Sequence, residues 1–236
     1  MNAARPNLYV FQPTDAEYLG LMEDHLEGRG IGFTYLRPHV AGAKLPENTR
    51  AASGLVLLGG GPYGALGPPR LPALDAAVRL ARDAFERGKP VIGIGLGAQI
   101  LSIAAGGSVE AAPLTFTVGR ARRTAPDALE GLLPESYPLA VYMRDRPRPP
   151  AYAQILAVDE GGEPALFQAG PKAFGFSGHP GIKAAIVEDL IMEFDDALPD
   201  TGETLIRLRA AQPEIEDALV RIMAGMIALA GLAQTA

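Results

Sequence analysis

Short apolar runs alternate with stretches of helical periodicity in the first part of the chain. Thr14 or Asp15 is placed to cap a helix that continues to about Glu27, and apolar residues recur at helical spacing from 74 to 85. Short apolar runs predict three strands, at Leu8–Phe11, Phe33–Leu36 and Gly54–Leu58. The last of these has the continuous apolar character of a parallel strand that is buried on both faces.

A strand, a tight turn and a short helix are predicted next. Pro90–Ile94 is another buried apolar run, and the chain then passes through Gly95–Gln99 into a helix that ends near Gly106. A glycine-rich turn therefore follows this strand directly. A second glycine-rich turn, at 59–61, follows the strand that ends at Leu58.

The second half of the chain is rich in predicted strands. Helical periodicity disappears from Ser108 to Phe176. Short alternating or apolar runs there predict strands at 116–121, 139–143, 155–158, 165–167 and 173–176. Helical spacing returns at 182–194, and a last helix is predicted after Pro213, with an apolar stripe that ends at Leu229.

Alternating strands and helices followed by further strands predict an α/β fold. We expect a mostly parallel central sheet with helices on both faces. In such folds the working site lies at the carboxyl ends of the strands, and both glycine-rich turns fall at such ends. The sequence therefore predicts that residues 59–61 and 95–97 lie close together at one edge of the sheet.

Composition narrows the classes of function. The chain has 236 residues, 48% of them apolar, which suits one large domain with an extension. Its net charge of −6 argues against nucleic acid or a membrane surface as a partner. The absence of cysteine removes thiolate nucleophiles, and three scattered histidines show no metal spacing, so we predict no metal and no cofactor.

The apolar tracts are too short for a membrane segment. Leu8–Phe11 is too short for the core of a signal peptide, and the longest tract, Gly225–Ala233, falls far below the roughly 20 residues that span a bilayer. A cytoplasmic protein is the expectation that follows.

Three segments, in this order, resemble the class I glutamine amidotransferases. Leu57–Pro62 is similar to the family's GGP turn, where a backbone amide contributes to the oxyanion hole. Gly93–Gln99, with a Gly-Gly pair at 106–107, resembles the GICLGxQ nucleophile elbow. Phe174–Pro180 is similar to the segment that supplies the catalytic histidine and glutamate. The resemblance implies a flavodoxin-like amidotransferase domain at 1–183. It does not explain the residues after Lys183, where helical spacing predicts a C-terminal helical extension at 184–236 that packs on the same domain.

The resemblance also shows which catalytic groups are missing. The family's thiolate attacks the glutamine amide, a histidine transfers the proton, and an acid orients that histidine. Gly95 stands at the nucleophile position, and Gly181 stands where the acid would be. His179 alone remains of these three degenerate triad positions. We therefore expect no glutaminase activity.

A pocket without a nucleophile is still able to bind a ligand. Backbone amides at 61 and 96 do not depend on the lost side chains, so an amino-acid-like molecule is a candidate ligand. The predicted ligand-binding residues are Gly60, Gly61, Tyr63, Leu96, Gln99 and His179. Two arginine-rich stretches, at 120–123 and 144–148, could instead hold an anionic ligand or pair with surface acids.

Three functions remain open from the sequence. The first is a non-catalytic or regulatory subunit beside a partner enzyme, with no synthetase domain on this chain. The second is an enzyme of different chemistry that uses His179, alone or with Ser177, as acid or base in the same pocket. The third is a homo-oligomeric small-molecule binding protein whose last helix, with Met223 and Met226, forms the interface.

Overall fold

A computed structural model of the chain describes residues 5–194 and 198–232. Within those ranges the chain forms eleven strands and five helices. The first half contains β1 Asn7–Phe11, α1 Met22–Glu27, β2 Gly32–Leu36, β3 Gly54–Leu57, α2 Leu74–Glu86, β4 Val91–Ile94 and α3 Leu96–Ala104. The second half contains β5 Ser108–Glu110, β6 Thr115–Arg123, β7 Ser136–Met143, β8 Arg146–Arg148, β9 Gln154–Asp159, β10 Pro164–Gln168, β11 Ala173–Phe176, α4 Ala184–Phe194 and α5 Thr201–Ala230.

Nine strands form one central sheet, in the order β2-β1-β3-β4-β11-β10-β9-β6-β7. The pairings from β2 to β11 are parallel, and those from β11 to β7 are antiparallel. The predicted α/β fold, with its central sheet and C-terminal helices, is confirmed. The carboxyl ends of β3, β4 and β11 lie side by side, and they carry the three segments that the resemblance singled out.

Side chains on the parallel strands alternate between two apolar layers. On β3 and the residue after it, Leu55 and Leu57 pack with α2 and α3, whereas Val56 and Leu58 pack with α1 and α5. β3 is therefore buried on both faces. This burial explains its continuous apolar run in the sequence.

The last helix begins earlier than predicted. α5 runs through Pro213 without a break, although a proline inside a helix removes an amide donor and costs about 3 kcal/mol. Leu208 before it and Ile215 after it are buried in one apolar cluster, which holds both halves of the helix in place. Further along α5, Met223 and Met226 are buried in the core formed with α1 and the sheet.

The first helix is shorter than predicted, because α1 begins only at Met22. The hydroxyl of Thr14 accepts a hydrogen bond from the amide of Glu17 at 3.3 Å, as a helix cap would, but the chain turns again at Gly20, with φ +60°. Residues 12–21 are an irregular segment instead. Long-range contacts hold this segment, and they form part of the site.

A small antiparallel pair of strands, β5 and β8, was not predicted from the sequence. Each strand has only three residues, which is too short to show an alternating pattern. In β8, Pro147 also disfavours a strand. In the described part of the chain, no helix combines the length and apolarity that crossing a bilayer requires.

Candidate functional site

The turn after β4 has the strand–turn–helix geometry of a nucleophile elbow. Gly95 has φ +55° and ψ −115°, a conformation that residues with a side chain rarely adopt. Its amide donates to the carbonyl of Phe176 at 2.8 Å, which ties the end of β4 to the end of β11. A Cβ at position 95 would meet the Cα of Gly59 at 3.5 Å, an ordinary contact. The elbow therefore has space for a side chain but carries none.

The glycine turn at 59–61 lies beside this elbow and is enclosed on two sides. A Cβ on Gly60 would come within 2.4 Å of the Cδ2 atom of Leu96 at the start of α3. Gly61 has φ +54°, and a Cβ there would lie 2.9 Å from the ring of Phe194 on α4. Only glycine satisfies both the backbone angle and these close approaches at 61.

Tyr63 lies next to the ring that packs on this turn. Its ring and that of Phe194 meet edge to face, with centroids 5.5 Å apart and planes at 88°. The amide of Tyr63 donates to the carbonyl of Gly60 at 3.0 Å, which closes the turn. α4 and Tyr63 together therefore cover the outer side of the glycine turn.

A buried carboxyl group occupies the inner side of the same turn. Glu17 is 4% exposed, and its Oε2 atom accepts a hydrogen bond from the amide of Gly61 at 3.2 Å. A Cβ on Gly59 would overlap the Oε1 atom of Glu17 at 1.7 Å, so the carboxyl group fits only because residue 59 is glycine. The family resemblance assigns the amide of this turn to the oxyanion hole. The side chain of Glu17 therefore occupies the place at this turn to which the resemblance assigns the hole.

Burial governs the ionisation of Glu17. Burial raises the pKa of this carboxyl to about 7. Hydrogen bonds from the amides of Gly61 and Gly59 partly offset this rise, and the negative charge of Glu193 adds to it. Glu193, on α4, accepts hydrogen bonds from the amides of Asp15 at 3.2 Å and Ala16 at 2.9 Å. Two carboxyl groups therefore hold the 14–21 segment, one of them against the glycine turn and one on α4.

The ring of His179 is held by backbone groups at both nitrogens. Nε2 lies 2.8 Å from the carbonyl oxygen of Tyr18 and must carry the proton, because a carbonyl only accepts. Nδ1 accepts from the amide of Gly181 at 3.1 Å. Burial lowers the pKa of His179 to about 4, so the ring is neutral. With both nitrogens engaged, this histidine has no free position from which to take a substrate proton.

Position 181, where the resemblance expects an acid, is filled from the other side by the start of α1. A Cβ on Gly181 would lie 2.9 Å from Cγ and 3.0 Å from the amide nitrogen of Met22. The carbonyl of Gly181 accepts from the amide of Leu21 at 2.9 Å. A glutamate at this position therefore requires the side chain of Met22 and the adjoining backbone to shift.

Gln99 is fully buried and joins two loops. Its Oε1 atom accepts from the amide of Ala65 at 3.3 Å, and its Nε2 atom donates to the carbonyl of Arg144 at 2.6 Å. Of the predicted ligand-binding residues, the structure brings together Gly60, Gly61, Tyr63 and Leu96 around the glycine turn. The side chains of Gln99 and His179 are engaged by backbone groups instead.

Ser177 does not pair with His179. Its hydroxyl donates to the carbonyl of Pro164, and its side chain borders a cavity of about 200 Å³ between β6, β7 and β10. This cavity is lined by strand residues and by the charged side chains of Asp145, Arg146 and Glu163. It is separate from the glycine turn and the elbow.

Four of the arginines in the two basic stretches have partners within the chain, and one of them, Arg123, donates to the carbonyl of Leu133 at 2.9 Å. Arg120 forms a salt bridge with Glu214 of α5 at 2.7 Å, and Arg148 pairs with Glu110 and Glu163. Arg144 donates to the carbonyl of Pro62 at 2.9 Å. Within residues 5–194 and 198–232, no three His, Cys, Asp or Glu side chains are grouped so that they could hold a metal ion.

Sequence reasoning missed Glu17, the most deeply engaged acid of the site. Its spacing from Thr14 fits a helix cap, and that local pattern concealed its contact with the turn. One signal was available: Glu17 follows β1 at the carboxyl edge of a parallel sheet, where sites in this class of fold lie.

Residues 16–146 match the sequence profile of the family described as glutamine amidotransferase class-I. The chain belongs to the class I glutamine amidotransferase family. No curated protein of known function matches this amidotransferase-like chain in sequence.

Solved structures share the fold over almost the whole chain. A glutamine amidotransferase from Thermotoga maritima is 22% identical, with a TM-score of 0.81, and the match covers 97% of this chain and 99% of that one. A glutamine amidotransferase from Methylobacillus flagellatus is 25% identical, with a TM-score of 0.82, covering 99% and 97%. A putative GMP synthase subunit protein from Thermoplasma acidophilum is 17% identical, with a TM-score of 0.58, covering 90% and 100%.

Proposed function

We propose that this chain is a catalytically inactive glutamine amidotransferase-like protein that acts as a non-catalytic or regulatory subunit of a partner enzyme. The observation that carries the proposal is the state of the oxyanion hole: Glu17 fills it, beside an elbow with glycine at position 95. Hydrolysis of glutamine would need a nucleophile at that elbow and an empty hole for the developing oxyanion.

The state of His179 supports the same proposal. A proton relay needs one ring nitrogen directed at the nucleophile and the other at an orienting acid. Here the partners are the carbonyl of Tyr18 and the amide of Gly181. This arrangement also disfavours a different acid–base reaction at His179, because the ring is neutral, buried and bonded at both nitrogens.

A role beside a partner is supported by the fold. One solved structure that shares it is described as a putative GMP synthase subunit. The former glutamine pocket is a candidate site for a small amino-acid-like ligand at Gly60, Gly61 and Leu96, and such a ligand would have to displace Glu17. We propose that the protein acts in the cytoplasm, without a metal or cofactor of its own.

Two measurements test this proposal. The first is ammonia release from glutamine by the purified chain, with an active class I amidotransferase as the positive control. We expect release at the rate of the buffer blank, and a rate like that of the control would overturn the proposal. The second is native mass spectrometry of the protein purified gently from its own organism. A stoichiometric foreign subunit supports the subunit role, and the chain alone, as monomer or homo-oligomer, argues against it.

A further inference from the structure

Two consecutive residues of one segment engage both remaining parts of the old catalytic centre. The carboxyl group of Glu17 accepts from the amide of Gly61, and the carbonyl of Tyr18 accepts from the ring of His179. We call residues 14–21 the strap. We propose that the strap is a built-in closure of the pocket and that Glu17 is an internal carboxyl ligand of the oxyanion hole. This inference rests on the proposed function, because an active glutaminase needs that hole for its substrate.

The strap is anchored at both of its ends and in the middle. Glu193 accepts from the amides of Asp15 and Ala16 at one end, and the amide of Leu21 donates to Gly181 at the other. In the middle, the amide of Leu19 donates to the hydroxyl of Tyr35 at 3.1 Å. These contacts come from α4, from the loop after β11 and from β2. The strap is therefore a fixed part of the fold and is not merely a surface loop lying across the pocket.

The geometry of the hole defines which ligand it accepts. One oxygen of the carboxyl group accepts from the amide of Gly61 at 3.2 Å, and the other fills the space beside Gly59 where a Cβ would lie. The group is almost completely buried. The site therefore selects a planar group with two oxygens. Glu17→Ala keeps Cβ and removes the atoms of one acetate group. A hole that is built for the carboxyl group of Glu17 therefore accepts acetate or acetic acid once those atoms are removed.

The chain offers an unusually clean reporter for this closure, because it contains no cysteine. The Gly95→Cys variant has a single thiol at the elbow, where a Cβ fits without a close contact. Its alkylation by iodoacetamide, followed by intact-protein mass spectrometry, measures access to the pocket. The Ser108→Cys variant supplies the exposed reference thiol on β5. We expect the thiol at 95 to react at least about tenfold more slowly than the thiol at 108.

Removing the carboxyl group of Glu17 should give reagents access to the elbow. Adding Glu17→Ala to Gly95→Cys should raise the alkylation rate about tenfold or more, and acetate should lower it again, relative to chloride at equal ionic strength. Glu17→Gln is the matched control, because it removes the charge and keeps the shape. If Glu17 slowed the thiol only by its charge, Gln and Ala would accelerate alkylation equally, and that result would overturn the closure.

A second measurement covers the case in which Gly95→Cys does not fold. Acetate should raise the melting temperature of the Glu17→Ala variant more than chloride does, and it should not do so for the wild type or for Glu17→Gln. Equal effects on all three proteins would contradict an internal carboxyl site. Both measurements are independent of ammonia release and of any partner. If the closure fails, the missing nucleophile at position 95 still supports the proposed function.

Discussion

Replacing Glu17 by glutamine should change how the stability of the protein depends on pH. In the folded protein the pKa of Glu17 is raised from 4.5 to about 7, so the folded state binds this proton more tightly than the unfolded state. The stabilisation is fully present below pH 4.5 and is lost as the pH rises to 7. At about 1.4 kcal/mol per pKa unit, it amounts to about 3 kcal/mol.

His179 acts in the opposite direction over nearly the same interval. Its pKa is lowered from 6.5 to about 4, so its stabilisation is present above pH 6.5 and is lost as the pH falls toward 4. The magnitude is again about 3 kcal/mol. In the wild type the effects of Glu17 and His179 oppose each other between pH 4.5 and 6.5. In Glu17→Gln only the histidine effect remains, so that variant should lose stability toward acid.

Urea unfolding followed by circular dichroism at pH 5 and pH 8 measures this difference. The free energy of unfolding of the wild type minus that of Glu17→Gln should be larger at pH 5 than at pH 8, by about 2–3 kcal/mol. Other titrating groups contribute to both proteins and cancel in the subtraction. Glu216→Gln, at an exposed position of α5, is the control for losing one acid. Parallel pH profiles for the wild type and Glu17→Gln would refute the reasoning.

Three further outcomes are expected. Gly95→Cys should release no ammonia from glutamine above the buffer blank, because His179 has no free nitrogen to activate the thiol; turnover above that blank would contradict this. Gly181→Ala should lower the free energy of unfolding by about 1–3 kcal/mol in urea titrations, because its Cβ would press on Met22 at 2.9 Å. Glu214→Gln, which removes an exposed partner of an arginine, should cost no more than about 1 kcal/mol, and a larger loss would show that this pair is not a simple surface salt bridge.

The strands that are buried on both faces and the helix with one buried face were predictable from the sequence. β3 and β4 are buried on both faces, and each appears in the sequence as an unbroken apolar run. α2 has a single buried stripe, and its bounds differ from the predicted helix by only one residue at the end. The helix at Pro213 was not predictable in the same way, because packing across the domain outweighs a local penalty there.

The glycine turns of the site were predictable, but the side chain that fills them was not. The turns at 59–61 and 95–97 follow from local pattern and from the resemblance to a family. Glu17 lies 44 residues from its partner Gly61, and Tyr18 lies 161 residues from His179. Contacts between residues so far apart in sequence depend on the order in which the strands assemble in the sheet. Local spacing around Thr14 predicts a helix cap, and Thr14 does accept from the amide of Glu17. That pattern gives no information on where the carboxyl group of Glu17 points.

The contact between the start of α1 and residue 181 makes substitutions at these two places depend on each other. Gly20 has φ +60°, and a Cβ on it would lie 2.2 Å from the carbonyl oxygen of Gly181, while a Cβ on Gly181 would press on Met22. Two stretches far apart in sequence have therefore become mutually dependent on small residues. Restoring an acid at 181 would therefore cost stability unless residues 20–22 change with it.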